Sequence, residues 1–268
     1  MTDYTGFARF YDRIMGDRDE EIARIRTYIS RYLPGAQSLL ELGCGTGALL
    51  AGLARDLRVT GIDRSPEMLA IAAQAVPGAR LLRGDITAFS LPEEFDVIIC
   101  MFDTLNHIQS LASWLSLFGR VHEHLADGGL FIFDVNTAGR LQRLHSAPPY
   151  LDEFDGNVVV MTVRSAGEWL SLWRTMIFEH QQHDVYRLHD ERIYELAVPL
   201  DQIRAALAGR FESLHEASLD GSPVSDDSDR VFFAYRHRPF ADLGGSGSPA
   251  PWAAARTSGP LSTRADEP

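Results

Sequence analysis

The chain contains no lysine: all 25 of its basic residues are arginine. That absence removes any mechanism built on a lysine Schiff base or a phosphate-loop lysine. Cysteine is nearly absent too. Cys44 and Cys100 stand alone, which excludes a disulfide framework and a cysteine-rich metal spacing, and fits a reducing cytoplasm. No run of about 18 apolar residues occurs, so no transmembrane helix is expected. The opening MTDYTGFARFYDRIMGDRDEE is too polar for a signal peptide. Positive charge is scarce: 25 basic residues face 37 acidic ones, a formal net charge of −12. A basic footprint for nucleic acid is therefore missing. The partner expected is a small molecule, with neither nucleic acid nor membrane, and a homodimer is a possible assembly.

What is present is an ordinary globular composition, 45% hydrophobic and 23% charged over 268 residues, enough for one sizeable core. The most informative stretch is SLLELGCGTG, residues 38–47. Leu39, Leu40 and Leu42 read as a buried strand, and ALLAGLARDL reads as the helix that follows the glycines. Gly43, Gly45 and Gly47 let the backbone turn sharply and approach a ligand without a Cβ in the way. The next helix aims its free N–H groups at the same place. Such a unit holds a nucleotide-like cofactor. Gly43, Gly45 and Ala48 also satisfy the dinucleotide fingerprint G-x-G-x-x-A, so the loop alone leaves a nicotinamide-dependent oxidoreductase open. Glu41 points elsewhere: its carboxylate would repel a pyrophosphate but suits a zwitterionic amino-acid end, which offers a cation.

Ahead of that loop, Tyr4, Phe7, Phe10 and Tyr11 form an aromatic cluster, and residues 19–33 read as a helix with Ile22, Ile25 and Ile29 on one face. Residues 1–36 thus form an N-terminal helical cap placed to fold over a cofactor site. Beyond the loop, Asp63 ends a second apolar segment twenty residues past Gly43, where the fold needs an acid for ribose hydroxyls. Ser65 and Pro66 supply the cap and first turn of the next helix, and Met68 in that turn offers a thioether to an adenine face. Residues 79–82 read as a third strand, ending near Asp85, an acceptor for an adenine amino group, with Ile86 beside the ring. Residues 95–102 read as a fourth strand buried on both faces, followed by Asp103, Thr104, Leu105, Asn106 and His107. An amphipathic helix then leads to a fifth strand at 130–135. Strands alternating with helices imply a parallel doubly wound sheet, with ligands beyond the carboxyl ends of its strands. Every candidate above falls at that edge.

ELGCGTG, GIDRSPEML, GDITAF, FDVIICMFDTLNHI and LADGGLFIFDVNT, in this order and spacing, resemble the successive motifs of the class I S-adenosylmethionine (SAM)-dependent methyltransferases. FARFYDRIM and MFDTLNH are similar to bacterial small-molecule members, amino-sugar N-methyltransferases among them. The resemblance spans residues 4–237 and implies an α/β fold: a doubly wound, mostly parallel seven-stranded sheet with a small antiparallel lid insertion. It also implies that Gly43, Cys44 and Gly45 line the methionine end of SAM. Asp63 would hold the ribose, and Arg64, Met68, Asp85 and Ile86 would surround adenine. Met101 and Phe102 would lie near the sulfonium, and Tyr11 would reach the cofactor from the cap.

After the fifth strand, residues 157–164, 168–178 and 185–197 read as lid strands joined by turns at 165–167 and 180–183, with Trp169, Trp173 and Ile177 sharing a face. The methyltransferase domain is expected over 37–240, with the lid at about 147–198. The Gly-, Ser- and Pro-rich stretch 241–268 reads as a disordered tail. His107 is the candidate general base with Asn106 as its orienting partner, and Tyr150, Trp173 and Arg140 are candidate substrate contacts. No metal is expected, because His122 and His124, or His180 and His183, have no carboxylate or cysteine company. The activity implied is SN2 transfer of a methyl group to nitrogen or oxygen of a small molecule, a secondary metabolite or sugar. The alternatives are an RNA methyltransferase, the oxidoreductase, or a non-catalytic SAM-binding protein.

Overall fold

The computed structural model describes residues 6–239. Tyr4 and the expected tail at 241–268 lie outside the described residues. Two helices, α1 (Ala8–Met15) and α2 (Asp19–Tyr32), come first. Strand β1 (Ser38–Leu42), helix α3 (Ala48–Leu53), β2 (Arg58–Asp63), α4 (Pro66–Ala75) and β3 (Arg80–Arg83) follow. Then come β4 (Phe95–Cys100), a 3-10 turn (Thr104–His107), α5 (Leu111–His124) and β5 (Leu125–Asn136). After α6 (Ala138–His145) the chain runs through β6 (Tyr150–Phe154), β7 (Asn157–Gly167), β8 (Leu170–Gln182) and β9 (Val185–Leu196). It closes with α7 (Leu200–Leu207), β10 (Phe211–Ser218) and β11 (Arg230–His237).

Seven strands form the main sheet in the order β10-β11-β5-β4-β1-β2-β3, parallel except for β11. The chain starts in the middle and winds outward both ways, so the order reverses between β1 and β4. That reversal opens a crevice above the carboxyl ends of these two strands. All five residues of β1 are buried, as expected for a strand covered on both faces. One face packs Trp114 and Phe118 of α5 against Phe131, Phe133 and Phe233, with Phe133 and Phe233 stacked at 4.7 Å between centroids. The other face packs α2 and α3 over Leu39, Ile99 and Ile132. Ser65 Oγ accepts from Met68 N at 3.2 Å and Pro66 opens α4, as its sequence predicts.

The second sheet, β6-β7-β8-β9, is antiparallel. Its details differ from the sequence reading. Residues 165–167 belong to β7, and the turn falls on Glu168 and Trp169, where Trp169 is left-handed at φ 63°. Trp169 therefore leaves the face that Trp173 and Ile177 share. The hairpin at 180–183 tightens to His183 and Asp184. Residues 150–154, ahead of the lid strands expected from the sequence, form β6 by pairing with β7. Phe10 and Tyr11 of the expected aromatic cluster lie within α1, and Phe7, Phe10 and Ile14 pack on Phe154, Val159 and Ile177 of the second sheet. No helix of the described residues is long and apolar enough to cross a membrane.

His122 and His237 lie with ring centroids 4.3 Å apart, tilted at 45°, at the far end of the main sheet, 2% and 4% exposed. Burial pushes both rings below the ordinary histidine value, and His122 pushes His237 further. Unfolded histidines bind protons near pH 6.5, so the unfolded chain takes up more protons than the native one as pH falls through that value. Stability is therefore expected to drop between neutral pH and about pH 5. Chemical denaturation of the protein and of His237→Phe across this range checks it: the variant should show a shallower pH dependence.

Candidate active site

A cavity of about 430 Å³ opens at the crevice, within the range of small-molecule sites. Gly43 and Gly45 form its floor, both left-handed at φ 74° and 51°. A Cβ on Gly43 would meet Thr104 Cγ2 at 2.5 Å, so only glycine lets the first loop close on the turn after β4. At Gly45 a Cβ would meet nothing within 4 Å, and the backbone faces the cavity bare. Asp63 stitches two elements: Oδ2 accepts from Gly45 N and Oδ1 from Ser65 N, both at 2.8 Å. Arg64, Met68, Asp85 and Ile86 line the same wall. Asp85 also closes its own turn, accepting from Thr87 N and Oγ1 at 2.8 Å.

The opposite wall comes from Tyr11 of α1 and the turn after β4. Here β4 stops at Cys100, two residues earlier than its apolar run suggests, because Phe102 and Asp103 adopt φ 55° and 50°. Two consecutive non-glycine residues in the left-handed region store strain that the surroundings must impose. Asp103 N donates to Asp134 Oδ2 at 3.3 Å, and the Asp103 carboxylate forms an ion pair with Arg230. Arg230 Nη1 also meets Asp134 Oδ2 at 2.7 Å. Burial alone would raise Asp103, but Arg230 and His107 hold its carboxyl well below the usual range. Asp134, fully buried, is pushed up to about 6 by desolvation, with Arg230 opposing. His107 lines the cavity with Nε2 at 3.6 Å from Asp103 Oδ2.

Four sequence expectations need correction. Asn106 does not orient His107. Fully buried, its Nδ2 donates to Asn136 O and Leu196 O and its Oδ1 accepts from Asn136 N, all at 3.0 Å. Asp103 stands beside the imidazole instead. Cys44 turns its thiol away from the cavity against Gly61, and Met101 packs in the core, 2% exposed. Glu41, by contrast, keeps its expected place: it is buried beneath the loop, its carboxyl raised by desolvation and by Asp63, with Arg18 opposing. Tyr150 lies half exposed on the edge strand β6, away from the cavity. Arg140 sits among Arg230, Asp103 and Glu195, lowered by burial and by Arg230. The reading missed Arg18, whose guanidinium lies over Phe102 at 4.3 Å, and also Asp103, Asp134, Glu195 and Arg230.

Residues 39–129 match the family model described as methyltransferase domain. The chain is 34% identical over 140 residues to a Streptomyces fradiae enzyme named dTDP-3-amino-3,6-dideoxy-alpha-D-glucopyranose N,N-dimethyltransferase, covering about half of each. It is 31% identical over 244 residues to a trans-aconitate 2-methyltransferase of Azoarcus sp. (strain BH72), covering 80% of this chain and 90% of the relative. The chain belongs to the class I SAM-dependent methyltransferases. The fold agrees: an S-adenosylmethionine-dependent methyltransferase from Clostridium acetobutylicum ATCC 824 superposes with a TM-score of 0.78, at 24% identity, covering 89% of this chain and all of that one.

The methyltransferase site fits SAM on its own evidence. Among the described residues, Arg18 Nη2 and Glu41 Oε2 are buried without a hydrogen-bond partner, and the Arg18 charge acts on the Glu41 carboxyl. An amino acid end needs one cation and one anion, and these two orphaned atoms are of the two required kinds. The bare Gly45 cradle and the Asp63 carboxylate supply the rest. Asp63→Ala is expected to weaken SAM binding by about 2 kcal/mol, the magnitude for hydrogen bonds to a charged group. Calorimetric titration with SAM measures this, and an unchanged affinity would remove Asp63 from the donor site.

Proposed function

We propose that this methyltransferase acts on the nitrogen of a small amine, with amino sugars as the substrate class. The observation that carries this reading is His107 on the cavity wall with the Asp103 carboxylate beside its ring. A protonated amine must lose a proton before it can attack carbon, and a carboxylate-backed imidazole is suited to taking it. An amino-sugar N,N-dimethyltransferase among the relatives supports the substrate class.

In this assignment Gly43 and Gly45 carry the methionine end, with Arg18 and Glu41 for its two charges. Asp63 takes the ribose hydroxyls, Arg64, Met68, Asp85 and Ile86 surround adenine, and Phe102 and Tyr11 flank the reacting end. SAM, when bound, supplies a methyl group already activated as a sulfonium. The chain aligns the nitrogen with that methyl, excludes water beneath α1 and the second sheet, and accepts the departing proton on His107. Asp103 stabilises the resulting imidazolium, and Arg230 keeps Asp103 charged. Burial and the Asp103 charge push the Tyr11 phenol up to about 12, so it stays a neutral hydrogen-bonding group.

A second reading is O-methylation of a carboxylate. It is favoured by Arg140, a largely buried cation at the same end of the sheet, and by the trans-aconitate methyltransferase among the relatives. Conversion of SAM to S-adenosylhomocysteine over amino sugars, matched hydroxy sugars and tricarboxylates decides between them. Turnover with amines is expected, and turnover confined to carboxylates would replace the proposal. His107→Ala should lower amine turnover by about 100-fold or more with SAM affinity retained. Wild-type turnover in that variant would leave alignment alone as the mechanism.

A further inference from the structure

The inner face of the second sheet divides into two halves. Toward α1 it is apolar, with Phe154, Val159 and Ile177 under Phe7, Phe10 and Ile14. Toward the turn after β4 it is polar. Ser171 pairs with Glu195 and Thr175 with Glu191 across β8 and β9, and all four are buried. Trp173 lies between them on β8, its Nε1 buried without a hydrogen-bond partner among the described residues. A sheet that merely roofed a hydrophobic core would carry apolar residues throughout its inner face, so the polar half is built for something polar.

Glu195 reaches furthest. Its carboxyl, Asp103 and His107 each offer an atom within 4.8 Å of the other two, and Asn136 Nδ2 donates to Glu195 Oε2 at 2.9 Å. We propose that Glu195 is a specificity-determining residue whose carboxylate takes the charged amino group of the substrate beside His107; the inference rests on the amine reading above. Three buried carboxyls, those of Asp103, Asp134 and Glu195, share Arg230, which already pairs with the first two. The nearby Arg140 faces Asp103, Glu195 and the exposed Asp229, and Tyr11 and His107 complete the ionisable surroundings. Asp134 Oδ1, fully buried in this network, also lacks a hydrogen-bond partner among the described residues. Burial, and then Asp103, accordingly push the Glu195 carboxyl well above the usual carboxylate range and favour its protonated form. A substrate ammonium supplies the missing positive charge and displaces that proton to solvent. Glu195 passes from carboxylic acid to carboxylate, the ammonium remains intact, and His107 takes its proton only when the nitrogen reacts.

The test is calorimetry on the full chain saturated with S-adenosylhomocysteine. It is titrated with dTDP-3-amino-3,6-dideoxy-glucose and with its 3-hydroxy counterpart, in two buffers of different ionisation enthalpy. About one proton should be released per amino sugar bound and none with the hydroxy sugar. Glu195→Gln mimics the neutral acid and keeps a partner for Asn136. It should bind the amino sugar about tenfold or more weakly, release no proton, and leave S-adenosylhomocysteine affinity and hydroxy-sugar binding unchanged. Amino-sugar binding without proton release, or equal binding by Glu195→Gln, overturns the role of Glu195 while amine turnover by the wild type still stands. Absence of methylation of any amine by the wild type overturns both. Should Glu195→Gln fail to fold, proton release by the wild type decides alone.

Discussion

One guanidinium holds the reactive edge of this sheet together. Parallel strands deliver their last residues to the carboxyl edge, whereas the antiparallel β11 delivers its first, and that residue is Arg230, opposite Asn136 at the end of β5. From there it bridges Asp134 of β5 and Asp103 of the turn after β4. Without it, two buried carboxylates would face each other, and stranding such charges costs about 3–5 kcal/mol when a partner is removed. The ion pair and the bond from Asp103 N to Asp134 also account for a chain held in the left-handed region at two successive residues. The strain places Phe102 toward the cavity and Asp103 beside His107. The one reversed strand thus sets the chemistry of an edge built by the others.

The N-terminal helices join the two halves of the site. Thr46 Oγ1 donates to Asp12 Oδ1 at 2.7 Å, tying α1 to the glycine loop. On its other side α1 sends Arg9 to Glu179 at 2.6 Å and packs Phe10 against Phe154 and His189 of the second sheet. Arg18 then lies over Phe102 and donates from Nη1 to the carbonyls of Met15 and Gly16. One short segment therefore touches the cofactor loop, the strained turn and the lid. Exposed pairs such as Arg9 with Glu179 contribute little each; the apolar contacts of Phe7, Phe10 and Ile14 supply the greater share of the docking energy.

Local signals carried most of this into the sequence. Residues 38–47, Asp63, the Ser65 cap and the switch between helical and strand periodicity depend on neighbours a few positions away, and the structure keeps them. What failed depends on direction or distance. Alternate residues along a strand and its exit point to opposite faces, so a motif can name Cys44 and Met101 without revealing that their side chains turn away from the cavity. Asn106 reads as a catalytic partner beside His107, but on a 3-10 turn adjacent side chains diverge, and its amide serves β5 and β9 instead. Arg230 pairs with Asp103 across 127 positions, and Glu195 arrives from the lid, so no local pattern joins them.

The imperfections of the structure are unevenly distributed. Orphaned buried atoms on Arg18, Glu41, Asp134 and Trp173, the paired left-handed residues, and carboxyls raised by burial gather at the carboxyl edge or on the lid above it, while others, on Arg24, Tyr28 and His237, lie elsewhere. The rings of Phe131, Phe133, Phe233 and Tyr235 stack in the core on one face of the sheet. Each orphan costs about 1–3 kcal/mol in the free protein, a burden that a chain of marginal stability carries only where the surrounding core can offset it. Folding alone would favour apolar residues at those positions. Under the proposed assignment that polarity answers ligands that bring charge: a zwitterion between Arg18 and Glu41, and a cation beneath the polar half of the lid.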